Sequence, residues 1–153
     1  MKKLLLFVVV ILLPVSIFGQ QSKQKIPLPL AKYGDNVKLP LTLKERNQIL
    51  EVYGDFADKY VFSNPNMLKS IKQLLRNRIV IKQVFNENER KVCGKLSEVS
   101  LFNPYVKDLK RDDIFNPSTF NPLKYNFEFH ALSASMFQVD NTNYYIIIKS
   151  QHQ

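Results

Sequence analysis

Hydrophobic periodicity changes along the chain at Asn77, and this change decides the fold class. Before Asn77, apolar residues recur every three or four positions, as they do on one face of a helix. After it, apolar and β-branched residues alternate with polar ones, as they do in half-buried strands. Helices followed by strands predict an α+β domain, with two N-terminal helices packed on one face of an antiparallel sheet.

Two capping signals mark where the helices begin. Thr42 and Glu45 form a capping box, and Asn64-Pro65 combines a preferred N-cap with a preferred first helical residue. Gly54 weakens the first helix by about 1 kcal/mol relative to Ala. The first helix has a broad apolar face of Leu43, Ile49, Leu50, Val52, Tyr53, Phe56, Ala57 and Tyr60. The second helix has a buried stripe of Met67, Leu68, Ile71, Leu74 and Leu75, with Lys69, Lys72, Gln73 and Arg76 facing outward.

About five strands follow these helices. The pattern predicts a hairpin of residues 78–85 and 91–102 around a polar loop, then a proline-rich connection over 103–123. A three-stranded meander of residues 124–132, 136–140 and 144–150 follows it. Residues 144–148 are apolar on both faces, so they predict a central or covered strand; at a sheet edge they would invite pairing with another chain.

The first 19 residues predict an export signal. Two lysines precede an apolar run of ten residues, Leu4 to Leu13, which is too short for a membrane span. We expect cleavage after Gly19, which places the mature protein in the periplasm or outside the cell; an uncleaved anchor is the alternative. Residues 20–40 then form an extended, basic, proline-bearing leader, and residues 41–153 form a single domain.

Composition excludes several classes of site. The chain has one cysteine, two histidines and four glycines, too few for a disulfide framework, a zinc cage or a glycine-rich phosphate loop. Asp108, Asp112 and Asp113 lack the spacing and glycine of a calcium loop. We therefore predict no metal site and no cofactor. Cys93 alternates with its neighbours as in a strand, which favours a small buried side chain.

The C-terminal part of the chain resembles a group of small exported bacterial proteins of uncharacterised function. The resemblance lies in residues 120–127, FNPLKYNF, and residues 139–144, VDNTNY; residues 64–81 are similar to the same group. It implies export and a single domain, and it carries no catalytic or binding residues.

A run of positive charge suggests one candidate binding surface. The segment from Lys59 to Asn86 holds six basic residues and no acid. Lys69, Lys72 and Arg76 follow one another at helical spacing, which predicts a face that could bind anionic lipid head groups or lipopolysaccharide. The alternative is a solvated helix face whose cations suit the helix dipole.

The aromatic C-terminal half suggests a second candidate site. Ten of the eighteen aromatic residues lie between Phe102 and Tyr145, either as core or as the lining of a ligand pocket. Tyr105 with Phe115 or Phe120 could form the lid of such a pocket. Glu128 and His130 are expected on one strand face, where a carboxylate could orient an imidazole that acts as a general base.

Two functions follow from these signals. The first is a non-enzymatic envelope or extracellular binding module whose partner is an anionic envelope component or another envelope protein. The second is a small-ligand binder or hydrolase that uses an aromatic-lined pocket with Glu128 and His130. Export and the lack of a basic–aromatic recognition module disfavour nucleic acid as a partner. The processed chain is expected to hold no membrane span, and its oligomeric state does not follow from the sequence.

Overall fold

A computed structural model describes residues 29–152 of the chain. The predicted export signal and its cleavage site at Gly19 lie outside the described residues. The described chain is α+β, with helical segments preceding most of a four-stranded, largely antiparallel sheet. The predicted order of helices before strands is therefore confirmed, whereas the sheet has four strands instead of about five.

Helix α1, Leu43–Tyr53, begins where the capping box predicts. The backbone N–H of Glu45 donates to the Thr42 hydroxyl (3.2 Å), and the Glu45 carboxylate accepts from the Thr42 N–H (2.8 Å). The α-helix ends at Gly54, whose φ of +50° lies in a region that glycine tolerates best. The chain continues through a 3₁₀ turn, Gly54–Phe56, and a π-helical turn, Asp58–Phe62.

Helix α2, Pro65–Gln73, also begins at its predicted cap. The Asn64 side chain accepts from the Met67 N–H (3.1 Å), and Pro65 occupies the first helical position. The helix then widens into a π-helical turn, Leu74–Arg78, before the first strand. Ile71 and Leu74 are buried, as predicted, against Ile49 and Val52 of α1 in one hydrophobic core.

The sheet consists of β1 (Ile79–Gln83), β2 (Gly94–Lys95), β3 (Ser135–Gln138) and β4 (Tyr144–Ile148), in the order β1-β4-β3-β2. Strand β4 lies between β1 and β3 and is antiparallel to both, while β2 is parallel to β3. The prediction that residues 144–148 form a central strand is confirmed. In this position both edges of the strand are hydrogen-bonded, so its apolar residues do not form an open sheet edge.

Two strand predictions are wrong. Strand β1 pairs with β4 rather than with residues 91–102, so the predicted hairpin does not form. Residues 124–132 contribute only an isolated bridge, between Tyr125 and Leu101, instead of a third meander strand. The Asn126 N–H donates to the Ser100 carbonyl (2.9 Å), and the chain then turns: the Phe127 N–H donates to the Tyr125 carbonyl (3.0 Å), and φ is +51° at Glu128.

Side chains of residues 125–130 nevertheless alternate between the core and solvent. Tyr125 and Phe127 are buried in the second hydrophobic core, which they share with Ile146 and Ile148 of β4, and Phe129 is partly buried against it. Asn126, Glu128 and His130 are exposed. Burial of alternate aromatic side chains thus fixes the orientation of this segment without a full ladder of hydrogen bonds.

Residues 29–40, the described part of the leader, lie on the domain. Ala31 N–H donates to the Gln151 carbonyl (2.8 Å), and Leu30 forms a bridge with His152. A 3₁₀ turn, Asp35–Lys38, then leads into α1. We call residues 29–40 the arm.

Candidate ligand-binding pocket

A pocket of about 380 Å³ lies under the arm. One wall comes from Leu30, Ala31 and Tyr33 of the arm, and a second comes from α2 and its π-helical turn. The segment Tyr125 to His130 and the C-terminal Gln151 complete the lining, together with core side chains such as Phe102. The volume lies within the range of roughly 300–1,000 Å³ that is common for small-molecule sites.

Helix α2 supplies the wall through residues on its inward face. Met67, Ile71 and Leu74 line the pocket, and Arg78 follows at the end of the π-helical turn. Turns of this kind occur frequently at functional sites, because the extra residue redirects the side chains that follow. Met67 is 38% exposed, so it lies at the mouth of the pocket.

Three polar contacts hold the arm over this wall. The Tyr33 hydroxyl and the Ser70 hydroxyl are 3.2 Å apart, and the Gly34 N–H donates to the Gln73 side-chain oxygen (3.0 Å). The Lys69 ammonium lies 4.7 Å from the centre of the Tyr33 ring. A Cβ atom at position 34 would lie 2.9 Å from the Asn77 side chain, so glycine allows this close approach.

Arg78 is the basic side chain in the pocket lining. Its Nη2 donates to the carbonyl of Phe129 (2.7 Å), and its Nε and Nη2 donate to the carbonyl of Lys149 (3.0 and 2.9 Å). Among residues 29–152, no carboxylate forms an ion pair with it. Partial burial lowers the pKa of the Arg78 guanidinium, since loss of water disfavours the charged form.

Glu128 and His130 both line the pocket, but they are not joined as a catalytic pair. Within the described part of the chain, no hydrogen bond links the carboxylate to the imidazole. The Glu128 carbonyl closes a turn by accepting from the Ala131 N–H (2.8 Å), and the His130 carbonyl accepts from the Gln151 side chain (3.1 Å). The two residues therefore share a wall, and their contacts to the protein are made by backbone groups.

The three predicted lid residues lie elsewhere. The ring of Tyr105 stacks on Tyr53 with 4.9 Å between centroids, and Phe115 packs against Phe120 (5.2 Å) and Tyr144 (5.4 Å). Phe120 is buried in the core, and it also borders a second cavity of about 330 Å³ beside α1. None of the three lines the pocket under the arm, where residues of the arm form the covering wall; a lid made of these three residues stays a prediction.

Two of the three residues in the predicted anion-binding face of α2 are engaged by the protein itself. Lys72 is 9% exposed and donates to the Leu39 carbonyl (2.8 Å). Arg76 forms a bidentate pair with Glu45 (2.6 and 2.7 Å) and also binds carbonyls of the arm, among them that of Pro40 (2.8 Å). Only Lys69 of the three predicted residues is exposed, because the arm covers this side of the helix.

The pair between Arg76 and Glu45 is strongly coupled. Hydrogen bonds from the guanidinium, reinforced by those from Thr42, lower the pKa of the Glu45 carboxyl to about 2. Burial of the carboxyl raises its pKa, but the hydrogen bonds lower it by more. This ion pair joins the end of α2 to the start of α1 and to the arm, so its role is in the fold.

Asp108, Asp112 and Asp113, which lack the spacing of a calcium loop, also do not form a cluster of metal ligands. Across residues 29–152, no group of three or more His, Cys, Asp and Glu side chains could hold a metal ion. Asp112 instead accepts a hydrogen bond from the Lys124 ammonium (2.6 Å), which also pairs with Glu51 (3.1 Å). These contacts tie the proline-rich connection to α1.

Two further expectations concern the rest of the chain. Cys93 is partly exposed in the irregular segment before β2, so the prediction that it is a buried strand residue is wrong. No helix among the described residues is long and apolar enough to cross a membrane.

Arg78 and the arm are parts of the candidate site that the sequence pattern does not indicate. Arg78 was expected at the start of a strand, and nothing in its immediate neighbours marks it as a pocket residue. The acid-free segment from Lys59 to Asn86 is the signal that could have indicated it, since a cation there has no acid nearby in the sequence.

Comparisons with known proteins identify no relative of this chain. The chain matches no family model, no curated protein and no solved structure.

Proposed function

We propose that this protein is an exported, non-enzymatic binding module whose ligand is a small, largely apolar molecule held in the pocket under the arm. The observation that carries the proposal is the pocket itself: about 380 Å³, lined mostly by apolar side chains with polar groups at a few positions. Small-molecule sites commonly combine an apolar lining with a few polar groups that orient the ligand.

A neutral fluorescent probe tests this function. We expect N-phenyl-1-naphthylamine to increase its emission on binding the wild-type protein, because its rings leave water for an apolar wall. Met67→Asp places a charge at the mouth and should weaken binding about tenfold or more, since an ionised carboxylate resists desolvation. Leu43→Asp is the matched control, because Leu43 is also an exposed apolar residue in the first turn of a helix and lies outside the pocket.

Two results would contradict the proposal. Absence of probe binding to the wild type would remove the evidence for a usable pocket. Equal loss of binding in Met67→Asp and Leu43→Asp would show that the probe attaches to exposed apolar surface in general.

A hydrolase is the second candidate, and the presence of Glu128 and His130 in the same wall favours it. A general base of this kind would act on a bound ester by activating water. The test is turnover of p-nitrophenyl butyrate. Hydrolysis that disappears in both Glu128→Gln and His130→Gln would support catalysis, and hydrolysis at the rate of buffer alone would exclude it for this substrate.

Export is part of the proposal and has its own test. The charged start and short apolar run of residues 1–19 support removal of this segment. The intact mass of protein recovered from its native envelope should correspond to a chain that begins at Gln20. A mass that retains Met1 to Gly19 would indicate an anchor.

We propose that the anionic partner is a small molecule held in the pocket, instead of an anionic envelope surface bound by the outer face of α2. Lys72 and Arg76 are engaged by the arm and Glu45, so they offer little to an outside anion. Arg78 lines the pocket without an acidic partner among the described residues.

A further inference from the structure

We infer that the ligand carries a carboxylate head group on an apolar body and that Arg78 binds this head group; the inference rests on the proposed ligand-binding function. The inference begins with the charge of Arg78. No acidic side chain within residues 29–152 lies within ion-pair distance of its guanidinium. Its three protein hydrogen bonds go to neutral carbonyl groups.

Those carbonyls orient the guanidinium without neutralising it. The carbonyls of Phe129 and Lys149 accept from Nε and Nη2, which leaves Nη1 with no acceptor in the described chain. A guanidinium fixed in this way presents N–H donors at a defined position. The two N–H groups of Nη1 are the donors that remain, and either can give a charge-assisted hydrogen bond to a carboxylate.

The surroundings of Arg78 define the rest of the ligand. Ile71, Leu74 and Phe129 line the same pocket, so a molecule that reaches Arg78 also contacts apolar side chains. Glu128 and His130 are the other chargeable groups of the wall, and both are exposed at its rim. An anion at Arg78 with an apolar body is therefore the ligand chemistry that suits both parts of the lining.

The contrast with Arg76, two residues earlier, strengthens the inference. Arg76 donates hydrogen bonds to both carboxylate oxygens of Glu45, at 2.6 and 2.7 Å. The protein therefore supplies an internal anion for one arginine at the end of α2. The other arginine lies in a pocket wall without one, which is the arrangement expected where the anion is supplied by a ligand.

Decanoate and decanol test this assignment, because they share an apolar chain and differ in the charge of the head group at neutral pH. We expect calorimetric titration to show that the wild type binds decanoate about 10- to 100-fold more tightly than decanol, as charge-assisted hydrogen bonds allow. Arg78→Gln should abolish this preference while decanol binding is retained. Lys82→Gln is the control, since it removes one exposed positive charge from β1 outside the pocket.

Each outcome has a distinct meaning. If decanol binds as tightly as decanoate, or if Arg78→Gln keeps the preference, the assignment of Arg78 is wrong and the apolar pocket stands. If neither compound nor the neutral fluorescent probe binds, the proposed function itself fails. Should Arg78→Gln not fold, the wild type decides through decylamine, whose cationic head group must bind more weakly than decanol.

Vesicles separate a free carboxylate from a membrane head group. We commit to a free amphiphile, because the pocket is small and the arm covers one side of it. Phosphatidylglycerol vesicles should therefore not co-sediment with the protein under conditions in which decanoate binds. Co-sedimentation with vesicles but no binding of decanoate would overturn the inference.

Discussion

Two arginines at the end of α2, separated by one residue, have opposite electrostatic surroundings. Arg76 has a side chain that is 12% exposed and is paired with a carboxylate, whereas Arg78 is held only by carbonyl groups. The cost of withdrawing a guanidinium from water is offset within the protein at the first position. At the second position carbonyl groups offset it only in part, and the inferred ligand carboxylate would offset more of it.

The pair of Glu45 with Arg76 predicts a loss of stability in acid. The pKa of Glu45 is about 2 in the folded protein against an ordinary value of 4.5. A lowered pKa means that the stabilisation is complete above the ordinary value and is lost as the pH falls toward about 2. As the pH falls from about 6 to about 2, protonation of Glu45 should lower the free energy of unfolding by about 3 kcal/mol.

Urea unfolding at a series of pH values measures this contribution. The difference in unfolding free energy between wild type and Glu45→Gln should shrink by about 3 kcal/mol as the pH falls over that range. Glu87→Gln serves as the control, because Glu87 forms an exposed pair with Arg90 and should show a negligible change. A wild-type advantage over Glu45→Gln that is independent of pH would refute the coupling.

At the scale of elements, local signals predict where the helices begin. They do not predict where the helices end or which strands pair with each other. The caps at Thr42 and Asn64 are formed by residues within three positions, so the local sequence is enough to predict where each helix begins. The partner of β1 is β4, more than sixty residues later, and no local pattern specifies that choice. The apolar faces of residues 144–148 predict only that the strand has neighbours on both sides.

The same distinction applies to the candidate site. Glu128 and His130 were predicted to share a face from their spacing, and both are exposed in the pocket wall. Tyr105, Phe115 and Phe120 do not line this pocket, and aromatic composition alone does not say which rings pack together. The arm covers α2 through hydrogen bonds from Lys72 and Arg76 to its carbonyls, and such contacts have no signature in helical spacing.

The end of α1 depends on Gly54, and a substitution there should be costly. With φ of +50° and ψ of −134°, this backbone conformation strains any residue with a Cβ atom, and the added atom would lie 3.2 Å from Val106. We expect Gly54→Ala to destabilise the protein by about 1–3 kcal/mol in thermal or urea unfolding. If alanine is tolerated without loss, α1 does not need this turn.

Gly94→Ala is the matched control for that substitution. The new Cβ at position 94 would meet the Phe137 ring at an ordinary contact distance of 3.4 Å, and Gly94 has no positive φ. We expect its effect to stay within about 1 kcal/mol, because only the difference in backbone entropy and local packing is involved. The contrast between the two glycines separates backbone strain from a general effect of replacing glycine.

At the scale of the whole molecule, the pocket exists because three distant parts of the chain meet. The arm, the end of α2 and the segment Tyr125 to His130 each supply part of the lining, and Gln151 bonds to the arm from the C-terminus. A ligand in the pocket contacts all of them and therefore favours the state in which they are assembled. Binding and the closure of the arm should be thermodynamically linked.

Lys72 provides a way to test this linkage, since it holds the arm through the Leu39 carbonyl (2.8 Å) and does not line the pocket. We expect Lys72→Met to accelerate hydrogen exchange at the amides of Ala31 and Gly34, whose hydrogen bonds close the arm. The variant should also bind the neutral probe several-fold more weakly, because a competent pocket is populated for less of the time. Saturating probe should restore slow hydrogen exchange in the variant.

Lys44→Met is the control, because it removes an exposed lysine from α1 and should leave both the exchange rates and the probe affinity unchanged. Faster exchange with undiminished affinity would separate arm closure from binding, and unchanged exchange would show that Lys72 does not hold the arm.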